Sequence, residues 1–596
     1  MAFGVAAMGG VLAVVSCGSS DDGGTGSNGG TNATSAGAGG EDAGSGGLDV
    51  AGSLNTSGSV NAGGDHSAGN CPGGCSGGQI CLKGSCECPS YQSLCDGKCV
   101  PTAADPGNCG KCGNECTGAT ACSAGECSTS CSAPLTLCKS DHSCTDTEND
   151  NDHCGGCDKK CDPGQGCVKG RCVDSVPLGD PPAKCSNGGP PIVNSPDMGG
   201  CLGNLAATTF RWTLCSCKDV QLSDYILVDA FDSTKGPYQP GSTGGGVGAN
   251  EKYHASGASV PPKAGIYGDL WASSTQGIND SADELVKNIL KSGGSLQSSA
   301  TMTVEGDVYA NGDVPKGVEI GGNLHVPADA KVGVTPAGKV VRGAVSFPPP
   351  CDCAEKQLVP ITAMVEAHAG TNNDNAAVGL DPDVLASPKA PTRLDLPCGS
   401  YYLSSIHPSV GVTIWAHGHV ALYIGEDVQS SDDISFGVDA TGSFDVFIAG
   451  KLGASAGLTI GSPNYPALTR TYIGSTTGVS LSSAAYISGN IYAAYGQVHW
   501  SASTDAYGSV FAGDFDASAP TRIHYDRAVL NQGDGCGGGG GTGGDSGSGG
   551  GGNTCESCRD CGNQACHDGE CGACTSNADC CAPLGCDQGA CVPIVK

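Results

Sequence analysis

Thiols are the prominent reactive groups of this sequence, with 39 cysteines among 596 residues. Thiolates can bind zinc or oxidise in pairs to disulfides. Zinc sites usually bring four ligands together, often including histidine, whereas the cysteine-rich segments here contain few histidines. Cys-x-x-Cys pairs that begin at Cys109, Cys154 and Cys571 leave zinc as the alternative. We expect disulfides, and therefore export to an oxidising compartment.

Two adjacent segments repeat the same cysteine spacing. Each contains eight cysteines, and six of the seven gaps between them are identical. A truncated copy begins at Cys71. Eight cysteines allow about 105 connectivities, so the spacing leaves the pairing open. The cysteines expected to form disulfides are Cys88, Cys95, Cys99, Cys109, Cys112, Cys116, Cys122, Cys127, Cys131, Cys138, Cys144, Cys154, Cys157, Cys161, Cys167 and Cys172.

The run Asn108-Cys109-Gly110-Lys111-Cys112, with Cys116 after it, resembles the Stig1-type repeat of stigma-specific proteins. That repeat occurs in secreted plant proteins and bacterial surface proteins, and it implies an extracellular module without implying a reaction. The corresponding domain is expected at 70–173. A separate module with ten cysteines is expected at 555–596, after a Gly-rich linker at 536–553. This second module broadly resembles small secreted toxin or growth-factor scaffolds.

The thiol of Cys17 is a candidate for lipid attachment. The run Val14-Val15-Ser16-Cys17 ends a short apolar segment and resembles the lipobox of bacterial lipoproteins, so residues 1–17 are expected to be a signal peptide. Such a peptide should begin with Lys or Arg, yet the first basic residue is Lys83, and we expect a charged segment upstream. Residues 18–69 are rich in Gly and Ser and are expected to form a disordered spacer. The alternative is an apolar strand with an incidental cysteine.

The segment 185–535 must supply the scaffold for any further site, because it alone can bury a sizeable core. Its short apolar runs, broken by Gly, Asn and Asp, predict many short strands. We expect a mostly β fold: a central β-helix or solenoid, flanked by small disulfide-rich, loop-rich modules and disordered linkers. A β-sandwich or jelly roll is the alternative, because the repeats between 330 and 480 are irregular. A recurring five-residue motif, which includes two copies spaced 16 residues apart, occupies 268–272, 306–310, 322–326, 489–493 and 508–512.

This pattern resembles the single-stranded β-helices of bacterial polymer-forming (bactofilin-like) proteins. It resembles more closely an uncharacterised bacterial surface domain that has segments similar to Gly489–Ala494 and His524–Leu530. The resemblance covers most of 185–535 and implies a fold without an assigned activity.

One helix is predicted at 281–293. Residues 281–284 have the form of a capping box, Leu285, Ile289 and Leu290 form an apolar stripe, and Gly293 would end the helix. The helix is expected to cover an edge of the β-helix.

The cysteines of the central segment are odd in number, and Cys536 would complete the set. Neighbours in the two Cys-x-Cys pairs are too close to bridge comfortably, so we expect cross-pairing between those pairs. The seven cysteines are Cys185, Cys201, Cys215, Cys217, Cys351, Cys353 and Cys398.

Two polar motifs could hold a metal ion, although we expect none to do so. The segment 372–375, with Asp381 and Asp383, offers oxygen ligands for calcium, but it lacks the order of an EF-hand and a polar loop is favoured. His417 and His419 lie on one face of a predicted strand, yet without a third ligand a hydrogen-bonded or exposed pair is favoured over zinc.

The net charge of −31 excludes nucleic acid as a partner, since such a surface repels phosphates. No nucleophile elbow, zinc-protease helix or phosphate loop is present, and the carboxylate pair Asp432-Asp433 needs a structure to be interpreted. We therefore expect a non-enzymatic surface protein without a cofactor. Its expected partners are a membrane, through the lipid, and an extracellular glycan or surface protein, at the outer membrane or cell surface. The alternatives are a carbohydrate-active enzyme on the β-helix and a toxin or signalling ligand that uses residues 555–591.

The lipobox leads to a direct test. Full-length protein expressed in a bacterial host should incorporate labelled palmitate and partition into membranes, whereas Cys17→Ser should lose both, because the thiol is the acceptor of the lipid. Cys71→Ser is the matched control and should partition like wild type. Unchanged partitioning of Cys17→Ser would contradict lipidation at this residue.

Overall fold

Short strands joined by turns make up most of the chain in the computed structural model. The described residues are 76–82, 85–88, 92–182, 185, 189, 205–206, 209–236, 238–257, 265–532 and, further on, 565–567, 570–572, 576, 584–587 and 590–593. No helix among them is long and apolar enough to cross a membrane. The following predicted features lie outside them: residues 1–17 with Cys17, the spacer 18–69, Cys71, Cys201, Cys536 and the linker 536–553.

The two cysteine-rich units, Cys88–Cys127 and Cys131–Cys172, form small hairpins held by disulfides. All sixteen cysteines of the repeat are paired, and both units use one connectivity, in which the first cysteine pairs with the third, the second with the fifth, the fourth with the seventh and the sixth with the eighth. The pairs are Cys88–Cys99, Cys95–Cys112, Cys109–Cys122, Cys116–Cys127, Cys131–Cys144, Cys138–Cys157, Cys154–Cys167 and Cys161–Cys172. The strands are β1 (Ile80–Leu82), β2 (Ser85–Glu87), β3 (Ser93–Cys95), β4 (Lys98–Val100), β5 (Ala121–Ser123), β6 (Glu126–Ser128), β7 (Thr136–Cys138), β8 (Ser143–Thr145), β9 (Gln165–Val168) and β10 (Arg171–Asp174).

Residues 214–342, the first half-solenoid, wind into parallel coils of a β-helix. The motif residues Leu270, Val308 and Leu324 occupy one position of the coil, which Leu290 occupies in the coil between the first two. These four residues pair in succession and are fully buried. Their separations of 20, 18 and 16 residues are the lengths of successive coils. The strands are β11 (Leu214–Ser216), β12 (Val220–Leu222), β13 (Ile226–Phe231), β14 (Val247–Ala249), β15 (Tyr253–Ala255), β16 (Gly265–Ile266), β17 (Leu270–Ala272), β18 (Ile278–Asp280), β19 (Glu284–Val286), β20 (Leu290–Ser292), β21 (Leu296–Ser298), β22 (Met302–Val304), β23 (Val308–Ala310), β24 (Val318–Ile320), β25 (Leu324–Val326) and β26 (Val340–Arg342).

Residues 392–526, the second half-solenoid, continue the same winding with longer coils. Ile434 pairs with Leu458, which lies 24 residues further along the chain, and this greater and more variable coil length accounts for the irregular sequence repeat between 330 and 480. The strands are β27 (Thr392–Leu403), β28 (Val412–Ile424), β29 (Val428–Ser430), β30 (Ile434–Val438), β31 (Ser443–Ile448), β32 (Leu452–Ala454), β33 (Leu458–Gly461), β34 (Thr469–Ile473), β35 (Val479–Leu481), β36 (Ala485–Ser488), β37 (Asn490–Trp500), β38 (Thr504–Tyr507), β39 (Val510–Ala517) and β40 (Thr521–Asp526).

The last coil of the chain pairs with the first coil of the β-helix. β39 lies parallel to β11 and β12, and β40 lies parallel to β13, so that both half-solenoids belong to one sheet system of 30 strands. We call this contact the junction. The parallel pairing confirms a β-helix as the central fold.

The two half-solenoids share three outer faces. The charged face carries the outward residues of β13 and β40, and the amide face carries those of β12, β15, β18 and β21. On the aromatic face, the fourth residue of the recurring motif, such as Trp271, points to the side opposite the inward Leu270. In the second half-solenoid, aromatic rings in the same register stack from coil to coil, with Tyr423, Phe447 and Tyr472 separated by centroid distances of 5.1 and 4.7 Å.

The segment that joins the half-solenoids, residues 343–391 (the crossover), packs on the aromatic face. His368, at the end of the helix Ile361–His368, stacks on Tyr423 with a centroid distance of 3.7 Å. Gly248 leaves room for Pro350, since a Cβ there would lie 2.9 Å from the proline Cβ. The crossover also contains the short helix Asn375–Val378 and the 3-10 turn Glu355–Gln357; further 3-10 turns are Pro466–Leu468 and Arg527–Asn531.

The expected cross-pairing of the two Cys-x-Cys pairs is confirmed. Cys215 bonds to Cys351 and Cys217 to Cys353, which fastens the crossover to the first coil. A third disulfide joins Cys185 to Cys398. In the C-terminal module, the described strands are β41 (Ala565–His567), β42 (Glu570–Gly572), β43 (Leu584–Asp587) and β44 (Ala590–Pro593).

The helix predicted at 281–293 is wrong, because this segment forms the strands β19 and β20. Glu284, which the capping-box motif would place at the helix surface, is buried, and so are Val286 and Leu290. The segment therefore alternates with the period of a strand, and the coils on both sides supply the backbone partners that an isolated segment would lack.

Three ionisable side chains lie inside the first half-solenoid below the amide face. The hydroxyl of Tyr253 donates a hydrogen bond of 2.9 Å to Glu284 Oε2, and the backbone nitrogen of Ala282 donates one of 2.9 Å to Asp280 Oδ1. Burial, with the charge of Asp280, raises the pKa of Glu284 to about 8. Burial also raises the pKa of Asp280 to about 7. Glu284 is therefore protonated at neutral pH.

This protonation predicts a pH dependence of stability. An unfolded Glu titrates near pH ~4.3, whereas native Glu284 titrates at about 8, so between these values the native state holds one proton more. The free energy of unfolding must therefore fall as the pH rises through this window. Glu284→Gln keeps the shape without the titration and should show a shallower fall, measured by urea unfolding at a series of pH values. Glu319→Gln, on an exposed outward position, is the control, and equal slopes in wild type and Glu284→Gln would contradict the assignment.

Candidate functional site

The junction brings charged and aromatic side chains together on the charged face. Asp229 on β13 lies opposite His524 on β40, and Tyr507 on β38 lies on the other side of His524. Two residues earlier on the same strands, Arg522 lies opposite Asp505. Because neighbouring strands are about 4.8 Å apart, residues in one register form a row in mutual contact.

His524 is held by a buried carboxylate. Its Nδ1 lies 2.7 Å from Asp229 Oδ1, and Asp229 Oδ2 accepts hydrogen bonds from the Tyr238 hydroxyl at 2.7 Å and from the Gly241 nitrogen at 2.9 Å. The other ring nitrogen, Nε2, lies 3.9 Å from Asp505 Oδ1. Burial would lower the pKa of His524, but the hydrogen bonds and charges of Asp229 and Asp505 outweigh it and raise the pKa. These surroundings therefore favour the protonated form of the His524 imidazole.

Aromatic rings and an arginine complete the cluster. The rings of Tyr238 and Tyr507 lie 4.2 and 4.8 Å from the imidazole of His524. Arg522 Nη1 is 3.3 Å from Asp505 Oδ1, and its Nη2 donates a hydrogen bond of 2.7 Å to the Tyr225 hydroxyl. Within the described residues, His524 forms no hydrogen bond with a hydroxyl or thiol that it could activate. The pair Asp229–His524 resembles a catalytic dyad. The two carboxylates of the cluster, however, are paired with His524 and Arg522.

The predicted histidine pair lies further along the second half-solenoid and is not a shared metal site. His417 has Nδ1 2.8 Å from Asp439 Oδ2 and Nε2 3.1 Å from Asp395 Oδ1. Burial would lower its pKa, but hydrogen bonds to these carboxylates and their charges raise it to about 9. For His419, burial lowers the pKa to about 4. Each imidazole has its own protein partners, and neither belongs to a cluster of three potential metal ligands in the described residues.

The three clusters of potential metal ligands in the described chain lie elsewhere, in the cysteine-rich units. They are Cys109 with Cys116 and Cys127, Cys154 with Cys161 and Cys172, and Cys138 with Asp141 and His153. Every cysteine among them is in a disulfide, and a disulfide sulfur is a poor ligand compared with a thiolate.

The oxygen-rich segment proposed for calcium is bound within the protein. Asp374 Oδ2 accepts a hydrogen bond of 2.9 Å from the Ser400 nitrogen, and Asn375 Oδ1 accepts one of 2.9 Å from the Tyr402 nitrogen. Asp383 accepts a hydrogen bond from the Ser404 hydroxyl. These contacts fasten the segment to β27, which is the role of a polar loop.

The second cysteine-rich unit covers the outer edge of β27. Arg393 Nη1 donates hydrogen bonds to the carbonyl oxygens of Asn149 and Cys167 at 2.7 and 3.2 Å, and its Nε donates one of 2.8 Å to Asp395. The backbone nitrogen of Val176 donates 2.8 Å to the Arg393 oxygen. The unit thereby provides partners that the edge strand lacks.

The carboxylate pair Asp432-Asp433 belongs to the same contact and does not form a catalytic cleft. Lys169 of the second unit lies between them, with its Nζ 2.7 Å from Asp432 Oδ1 and 2.8 Å from Asp433 Oδ2. The hydrogen bonds and the charge of Lys169 lower the pKa of Asp432. Both carboxylates are therefore partners of Lys169 in a solvent-accessible ion pair.

The sequence did not single out Asp229 or Tyr238 as site residues. The sequence carries a signal only for the segment His524–Leu530, which resembles part of an uncharacterised bacterial surface domain. Nothing in the sequence around Asp229 indicates a partner 295 residues away.

Comparisons with known proteins match two parts of the chain. Residues 354–532 match a domain of unknown function (DUF7305), which covers most of the crossover and the second half-solenoid. Residues 87–130 match the stigma-specific STIG1-like protein family and cover the first cysteine-rich unit. No curated protein and no solved structure matches the chain. The disulfides and the STIG1-like match together place the protein among extracellular or secreted proteins.

The contact at β27 predicts unequal effects of two cation deletions. Arg393→Ala removes a buried cation that bonds Asp395 and two carbonyl oxygens, and it should lower the free energy of unfolding by about 3–5 kcal/mol. Lys169→Ala, the control from the same contact, removes an exposed pair and should cost less than about 1 kcal/mol. Denaturant unfolding would measure both, and limited proteolysis should cleave near 173–182 faster in Arg393→Ala. Equal effects would mean that Arg393 does not hold the unit.

Proposed function

We propose that this protein is an exported, non-catalytic surface protein whose β-helix binds an extracellular glycan or surface protein. The proposal rests on the observation that the main charged side chains of the outer faces are paired with other groups of the protein. His524, His417 and Arg393 each lie between protein acceptors, so they hold the β-helix together and are not available to transfer protons.

The architecture supports the same proposal. Two disulfides fix the crossover to the β-helix, and hydrogen bonds of Arg393 fix the second cysteine-rich unit to it. The β-helix is thereby a rigid rod that presents outward side chains in fixed rows. A lipid at Cys17 would tether this rod to a bacterial outer membrane or cell surface through the spacer 18–69. This role does not require the chain to polymerise as bactofilin-like proteins do.

A carbohydrate-active enzyme is the second candidate, because the charged face places Asp505 beside Arg522 and Asp395 beside Arg393. β-Helices host polysaccharide lyases and hydrolases, which use carboxylates and cations on one face. This is an analogy of fold, and the ion pairs occupy the groups that such chemistry would need free.

The test is incubation of full-length protein with insoluble cell-wall glycans, matrix glycans and surface proteins, with retention and product release measured together. We expect retention on at least one of them without release of soluble sugar. Time-dependent release that Asp505→Asn abolishes would replace this proposal with the enzyme, and Asp283→Asn, an exposed carboxylate elsewhere, is the control for nonspecific charge effects.

A further inference from the structure

A cavity of about 340 Å³ opens on the amide face of the first half-solenoid. Its volume falls within the range of small-molecule sites, which is roughly 300–1,000 Å³. The lining residues are Lys252, His254, Gln276, Asn279 and Gln297. Three of them come from successive coils in one register, because His254 pairs with Asn279 and Asn279 with Gln297.

The side-chain amides of this cavity are available for a ligand. Those of Gln276, Asn279 and Gln297 form no hydrogen bond within the described residues. His254 uses Nδ1 in a contact of 3.2 Å with the Asn279 carbonyl oxygen and leaves Nε2 open. An amide both donates and accepts, so the cavity presents donors and acceptors repeated at the strand spacing of about 4.8 Å.

The charge of the cavity favours a neutral ligand. The ammonium of Lys252 lies 3.0 Å from Asp219 Oδ2, which compensates the one cation of the lining. The net charge of −31 would repel a polyanion approaching the surface. Hydroxyl groups, which donate and accept like amides, are the complementary neutral partners.

The polar row extends beyond the cavity across the junction. Gln221 lies in register with His254 on one side and with Asp516 on the other, and Asp516 lies in register with His499. A ligand longer than the cavity would therefore meet further hydrogen-bonding groups along the axis of the β-helix.

We propose that this cavity binds a neutral, hydroxyl-rich oligosaccharide, whose chain runs along the amide face across successive coils. The inference rests on the proposed function, of which it names the ligand class and the place. Asn279 and Gln297 supply amides to neighbouring sugar units, and His254 supplies an additional ring nitrogen.

The experiment measures binding of soluble neutral hexasaccharides of glucose, mannose and N-acetylglucosamine to the full-length chain by titration calorimetry. We expect wild type to bind at least one of them, and Asn279→Ala together with Gln297→Ala to weaken that binding about tenfold or more, since two ligand hydrogen bonds are lost. Gln429→Ala is the matched control, because Gln429 is an exposed outward residue of the same face in the second half-solenoid. Circular dichroism and thermal unfolding verify that each variant is folded.

The outcomes separate the two proposals. Unchanged affinity in the double variant, or an equal loss in Gln429→Ala, would overturn the cavity as the site and leave the proposed function standing. Failure of wild type to bind any of these hexasaccharides, while a surface protein is retained, would overturn the ligand class alone. Cleavage of the hexasaccharides would overturn the proposed function.

Discussion

The parallel ladder between β13 and β40 is the contact on which the rest of the architecture depends. It pairs Ile226–Phe231 with Thr521–Asp526, at opposite ends of the β-helical region. Each of these strands would otherwise be an edge with unpaired N–H and C=O groups, which invites aggregation. Buried polar contacts across the ladder, such as that of His524 with Asp229, fix its register, because a slip of one residue would leave them unpaired. Each half-solenoid thus completes the other.

The two free ends of the joined β-helix differ. At β27, the second cysteine-rich unit and residues 174–176 supply backbone and side-chain partners, which is the capping that a terminal coil of a solenoid requires. At β26 the outer strand exposes Val340 and Val341, at 40% and 42% of their surface. The cap is held by its own disulfides, whereas the two crossover disulfides span 136 residues and therefore restrict the unfolded chain more strongly. The matched domain of unknown function comprises the capped half and depends on residues outside the match for its last pairing.

The coil positions could be predicted from the sequence because the constraint that creates them is local. Val308 and Leu324 repeat one motif at the length of one coil, and each coil needs the same turn and the same inward residue. The sequence wrongly predicts a helix at the strand Glu284–Val286, because a capping-box composition also fits a buried alternating strand when neighbouring coils provide its hydrogen bonds. The junction could not be predicted, since the partner of Asp229 is specified only by the closed fold. The disulfide pairing was open for the same reason: spacing constrains loop lengths, and the hairpins select one connectivity.

The inward residues of a β-helix are constrained by the packing of the core, so differences in function must come from the side chains of its outer faces. On the aromatic face the rings of Tyr423 and Phe447 are covered by the crossover, and on the charged face His524 is neutralised by its neighbours. Both sets of side chains are explained by the stability of the fold. The stability of the fold does not explain the amides of Asn279 and Gln297, because an outward amide without a protein partner contributes little to stability and the coil would fold with almost any polar residue there. Their alignment over successive coils is a property of the surface, and recognition of an external hydrogen-bonding partner is the role that such an alignment can serve.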